Sequence, residues 1–199
     1  MMGAVIENII GGYMHPRASV RRIMSGDYGM QEILLLVLLA FVVRQIMVIL
    51  IPIEVAGAGP AGLGAYIGRL VGALISFGII TALICYIGRV FGGTGDFRQS
   101  ALVVAWYDVV TSVTSPFVEL AARQNLEAIQ TLAKNPDVPV AMSDSAAMIA
   151  LIGGALLLWL YAAFIAELHG FKRTFSVLAA LFAIMILPAM LLTPMMMGG

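Results

Sequence analysis

Residues 33–51 read ILLLVLLAFVVRQIMVILI, an apolar run broken only by Arg44 and Gln45. A helix rises about 1.5 Å per residue, so crossing about 30 Å of hydrocarbon takes roughly 20 apolar residues. This run is long enough to span. Four more runs repeat it, at about 66–91, 101–120, 146–166 and 175–193. The second carries Arg69 and Arg89 near its ends, the third is the most polar, and the fifth has no charge. Five such spans use half of the 199 residues and leave little for a separate soluble domain.

Composition points the same way. Hydrophobic residues make up 61% of the chain and charged residues 11%, against about 25% charged in an ordinary soluble domain. So few charges cannot cover a soluble surface. The fold class expected is all-α: a polytopic membrane protein, a bundle of five transmembrane helices. Residues 1–30 form a cytoplasmic N-terminal segment and residues 31–199 the membrane domain. Residues 1–30 hold Gly11, Gly12, His15, Pro16 and several charges without a compact apolar core. The first run is therefore expected to stay as a signal anchor.

Orientation follows the distribution of Lys and Arg in short loops. With the N-terminus inside, the inner segments hold Arg17, Arg21, Arg22, Arg89, Arg98, Lys172 and Arg173, and the outer ones only Arg123 and Lys134. The expectation is N-in, C-out. Pro16 suits a first helical turn. It would open a short helix with Arg17, Arg21 and Arg22 beside Val20, Ile23 and Met24. Such a helix can lie at the interface on anionic lipid, or its arginines can simply set topology. Past the third span, Leu126, Ile129 and Leu132 recur at helical spacing, away from Arg123, Glu127 and Lys134, until Asn135-Pro136-Asp137 stops the helix. Ser143 or Asp144 can cap the fourth span.

Several chemistries are excluded. Lys plus Arg and Asp plus Glu both number 11, and a chain of zero net charge offers no basic surface for nucleic acid. The single cysteine, Cys85, rules out an internal disulfide framework and a multi-cysteine zinc site. Met190 and Met195 to Met197 cluster without any His or Cys, and His15 and His169 lack ligand spacing, so no metal or cofactor is expected. The glycine-rich segments 56–64 and 92–95 lack the Lys-Ser/Thr of a phosphate loop and read as turns. No acid–base pair can be named, so no enzyme is expected.

Ionisable groups at membrane depth are functional hypotheses by default. Arg44 and Asp108 fall within about a helical turn of each other in depth, and a direct pair would neutralise both. Asp108, Ser112, Ser115 and Glu119 share one face of a continuous helix at i, i+4, i+7 and i+11, with Thr111 beside them. Pro116 removes one backbone donor from this stripe. A polar face of this kind turns toward other helices or toward a cavity. It is either interhelical glue or a polar site for a substrate, ion or lipid headgroup. Gly68, Gly72 and Ser76 form a small-residue ladder that admits a close neighbour helix, from the same chain or a second copy. Arg69 has Glu54 or Glu119 as prospective partners.

The order of motifs resembles the YIP family, membrane proteins named for interacting with Ypt/Rab GTPases. The motifs are Pro16-Arg17 with Ile23 before the first span, and the glycine-rich turn from Phe91 to Gly95 followed by Phe97-Arg98. Trp106-Tyr107 then opens a span holding Pro116, Trp159 sits in the fourth span, and Leu168-His169-Gly170-Phe171 leads to the fifth. The resemblance covers about residues 8–195. The short N-terminal segment looks like the bacterial branch, which implies the bacterial inner membrane. The family has no established catalytic residues to carry over. The resemblance implies a non-enzymatic membrane scaffold or adaptor that binds membrane proteins, associates with itself or shapes the bilayer. The alternative is a small transporter or lipid-handling protein using the polar stripe.

Overall fold

The computed structural model describes residues 2–50, 62–134 and 144–183. Within them the chain forms eight helices and no strand. These are α1 (Met2–Met14), α2 (Pro16–Met24), α3 (Met30–Leu50), α4 (Leu63–Val90), α5 (Phe97–Thr111), α6 (Ser115–Lys134) and α7 (Asp144–Leu168). The eighth, α8, is described over Thr174–Ala183.

Local chemistry sets the boundaries. Pro16 sits in the first turn of α2, where its missing N–H leaves no bond unmade. Asp96 caps α5 reciprocally: its carboxylate accepts from the Gln99 N–H at 2.7 Å, and the Gln99 side chain accepts from the Asp96 N–H at 3.2 Å. Gly92 (φ 80°) and Gly170 (φ 69°) supply the left-handed residues that turn the chain after α4 and α7.

Helices α3, α4 and α7 are each long and apolar enough to cross a membrane. Helices α5 and α6 pass that test only as a pair bent by 74°. The described residues thus hold three spans, or four if the bent pair counts as one. The fifth expected run begins in α8, and its continuation past residue 183 lies outside the described residues.

The exception to the hydropathy reading is α5. It is the least apolar of the expected spans and the most buried helix, with Ser100 to Trp106 and Val109 to Thr111 all inside. Helices α1, α2, α3, α4 and α7 pack around it. The more apolar α3, α4 and α7 turn Leu35, Ile49, Ile75 and Leu151 outward. Water would expel such faces, whereas a lipid solvent accepts them. The helices approach closely where glycine allows. A Cβ on Gly12 would lie 2.8 Å from the Val110 side chain, and one on Gly153 would lie 2.4 Å from that of Val118.

One end of the bundle is locked by an imidazole. His169 is 2% exposed. Its ring fills a socket of glycines: a Cβ added at Gly88, Gly93 or Gly95 would come within 2.0, 2.5 or 3.0 Å of it. The Gly95 N–H donates to Nδ1 at 3.3 Å, so the proton resides on Nε2, which faces the Ile84 carbonyl at 3.2 Å. Gly88→Val is expected to drive a branched side chain into this ring. Overpacking of this kind destabilises by about 1–3 kcal/mol, to be read as a lower midpoint of thermal unfolding in mild detergent. An unchanged midpoint would mean that the socket is not tight.

Candidate functional site

The polar residues of the third expected span do not share one helix face. α5 ends at Thr111, residues 112–114 form a turn, and α6 restarts at Ser115 with Pro116 as its second residue. Proline is accommodated here as a helix starter rather than as a mid-helix kink. Hydroxyls take over at the break. Thr111 Oγ1 donates to the Tyr107 carbonyl and Ser112 Oγ to the Val109 carbonyl, both at 2.8 Å. The Thr114 N–H bonds the Thr111 carbonyl at 3.0 Å. Tyr13 of α1 latches the break from outside, donating to the Val110 carbonyl at 2.9 Å and meeting Thr114 Oγ1 at 2.5 Å. Thr111, Ser112 and Ser115 are all buried. The hydroxyls at 111 and 112 bond carbonyls of their own helix.

The bend also decides the partner of Arg44. This residue forms its ion pair with Glu119 on α6, not with Asp108 as a straight helix would have it. Arg44 lies roughly 20 Å along α3 at about 1.5 Å per residue, beyond most of α5. The turn at 112–114 brings the first turns of α6 back toward it. Asp108 remains within electrostatic range of Arg44. Its position is the wall of a cavity of about 680 Å³ that Tyr107, Gly154, Tyr161 and Phe182 also line. Tyr107 and Tyr161 meet edge to face there at 4.9 Å, and the Tyr107 hydroxyl donates to the Leu157 carbonyl at 3.1 Å. The five candidates thus split into an ion pair (Arg44, Glu119), two buried hydroxyls (Ser112, Ser115) and a carboxylate facing a cavity (Asp108).

The ladder on α4 differs from an intrachain packing face. A Cβ on Gly68 or Gly72 would meet nothing within 4 Å among the described residues, and Ser76 is exposed. Arg69 sits 5.6 Å from the Tyr66 ring centroid; Glu119 is taken by Arg44, and Glu54 lies outside the described residues.

The basic N-terminal helix packs against the rest of the protein through part of its surface, while Arg21 and Arg22 stay exposed. Val20 is completely buried, and the carboxylate of Glu167 at the end of α7 is gripped twice. Arg17 Nε donates to it at 2.8 Å and Arg21 Nε at 2.9 Å. Arg17 also donates to the carbonyls of Phe171 at 2.8 Å and Lys172 at 3.2 Å. Arg22 donates to Asn8, and Trp106 Nε1 to Ser19, each at 2.8 Å. Arg98 holds Asp27 and the Tyr28 carbonyl at 2.7 Å. Spacing could not reveal this lattice, because its partners are up to 155 residues apart. Among the described residues, no three His, Cys, Asp or Glu side chains gather to hold a metal.

These features define a helical integral membrane protein with a cross-braced, arginine-rich end and a broken, polar buried helix. The family model of the Yip1 domain matches residues 11–192, nearly the whole chain, and the chain belongs to this family. No curated protein matches the sequence, and no solved structure matches it.

Exchanging the charges tests the ion pair. Arg44→Glu and Glu119→Arg should each lower the unfolding midpoint, because each sets two like charges together. The double exchange should recover most of the loss, whereas Asp108→Asn should leave that coupling unchanged. A double exchange no better than the singles removes the pair. His169 gives a pH test. Burial lowers its pKa below 6.5, outweighing the Ile84 carbonyl, and Arg89 acts in the same direction. The unfolded chain therefore takes up a proton that the folded one refuses. Stability is full above about pH 6.5 and falls as pH drops below it toward the depressed value. His169→Gln should flatten this profile in thermal melts between roughly pH 7 and pH 5.

Proposed function

We propose that this Yip1-family chain is a non-enzymatic membrane scaffold or adaptor that binds other membrane proteins through helix faces. The observation that carries the reading is the small-residue ladder of α4, with Gly68, Gly72 and Ser76 turned outward and uncovered among the described residues. Small residues let two backbones approach, and helix association in lipid depends on such packing. The cross-braced end supports the reading as a rigid platform. The same end favours N-in orientation, since all seven cations assigned inside belong to its bonded network or to the adjoining turn: Arg17, Arg21, Arg22, Arg89, Arg98, Lys172 and Arg173.

A second reading, a small transporter or lipid-handling protein, draws on the cavity that Asp108 lines. It requires Asp108→Asn to abolish solute flux in liposomes while the variant stays folded.

The scaffold reading is tested by tagged capture from native membranes in mild detergent, with mass spectrometry of co-purifying proteins. A stoichiometric membrane-protein partner is expected, including a second copy of the chain. Gly68→Leu with Gly72→Leu should reduce its recovery about tenfold, equivalent to about 1.4 kcal/mol, without lowering the unfolding midpoint. A chain that is monomeric, captures no partner and leaves vesicle shape unchanged would sink the proposal.

A further inference from the structure

We infer that the cleft between α4, α7 and α8 is a binding site for one anionic phospholipid. It encloses about 640 Å³, within the roughly 300–1,000 Å³ of sites that enclose small ligands. Its two chemistries are segregated. Ile84 and Ile87 of α4, Ile165 of α7, and Val177 and Leu181 of α8 make apolar walls, whereas Lys172 and Arg173 stand at the turn where α8 begins. A ligand that fits both must carry a long apolar part and an anionic head.

The two cations differ from their neighbours. Arg17 and Arg21 share the single carboxylate of Glu167, and Arg98 pairs with Asp27. Lys172 and Arg173 are exposed, and among the described residues neither has a carboxylate partner. Their backbone is nevertheless held in place, because Arg17 binds the carbonyls of Phe171 and Lys172. Helix α8 opens at Thr174, and Ser176 lines the cleft. The positive dipole end of α8 therefore lies beside the same rim. Basic pockets between membrane helices are suited to phospholipid head groups. A zwitterionic lipid would fill the walls but leave both cations uncompensated.

Native mass spectrometry of the full chain, from nanodiscs of phosphatidylglycerol and phosphatidylcholine, tests the site. The wild type should retain one phosphatidylglycerol in preference to phosphatidylcholine. Lys172→Ala with Arg173→Ala should weaken that retention roughly 30-fold, at about tenfold per 1.4 kcal/mol and about 1 kcal/mol per cation. Both side chains are exposed, so the variant should fold, and Arg123→Ala serves as a charge control. Ala180→Trp, which fills the cleft and leaves the cations intact, should also remove the lipid. Equal retention of the two lipids by the wild type overturns the proposal. So does full retention in the double alanine variant. Retention that survives Ala180→Trp would place the head group on the surface and remove the cleft from the account. A dimer lost on Ala180→Trp, with no lipid retained by the wild type, would assign the cleft to a second copy instead.

Discussion

In a lipid-embedded chain, each buried backbone group must find its partner within the protein, because hydrocarbon supplies none. His169 meets this constraint for several segments at once. It satisfies the Gly95 N–H before α5 and faces the Ile84 carbonyl inside α4, and it stands immediately after α7. The glycines at 88, 93 and 95 leave room for the ring. Glu167, two residues earlier, adds a charged layer by holding Arg17 and Arg21. One short stretch of chain thereby fixes α2, α4, α5 and the turn into α8.

The opposite region is held by hydroxyls instead of an imidazole. The break at 112–114 is stitched by hydroxyls at 2.8 Å and by Tyr13. These groups would compete with helical hydrogen bonds anywhere else. Here they replace them, which lets a polar helix turn by 74° at membrane depth. The burial of α5 follows from the same rule. Its serines, threonines and aromatic hydroxyls need protein partners, so it takes the centre and leaves the lipid surface to α3, α4 and α7.

Much of this was legible in the residues. Hydropathy located α3, α4 and α7 to within a few positions, because length and apolarity alone decide a span. Pro16 correctly marked the start of α2. The stripe was misjudged because periodicity assumes one unbroken helix. A Thr-Ser-Val-Thr-Ser-Pro run also suits a turn followed by a proline-led restart, and the structure takes that course. The partner of Arg44, left open in the sequence, follows from the same bend: depth counted along a straight helix puts Asp108 opposite, and the turn brings Glu119 there instead. His169 was passed over because it had no metal-ligand spacing. The available signal was the pair of glycine-rich turns at 92–95 and 170, which leave space that a ring can fill.

Two uncovered features among the described residues suit different kinds of neighbour. At Gly68 and Gly72 nothing among the described residues stands against an added Cβ, which suits another helix. The cleft against α8 carries Lys172 and Arg173 at one edge, without a carboxylate partner among the described residues. Helix α4 contributes to both, with the ladder toward its start at Leu63 and the cleft wall toward its end at Val90. Its final turns are clamped by His169. Because an α-helix is stiff along its axis, the clamp that shapes the cleft also fixes the direction in which the ladder is presented.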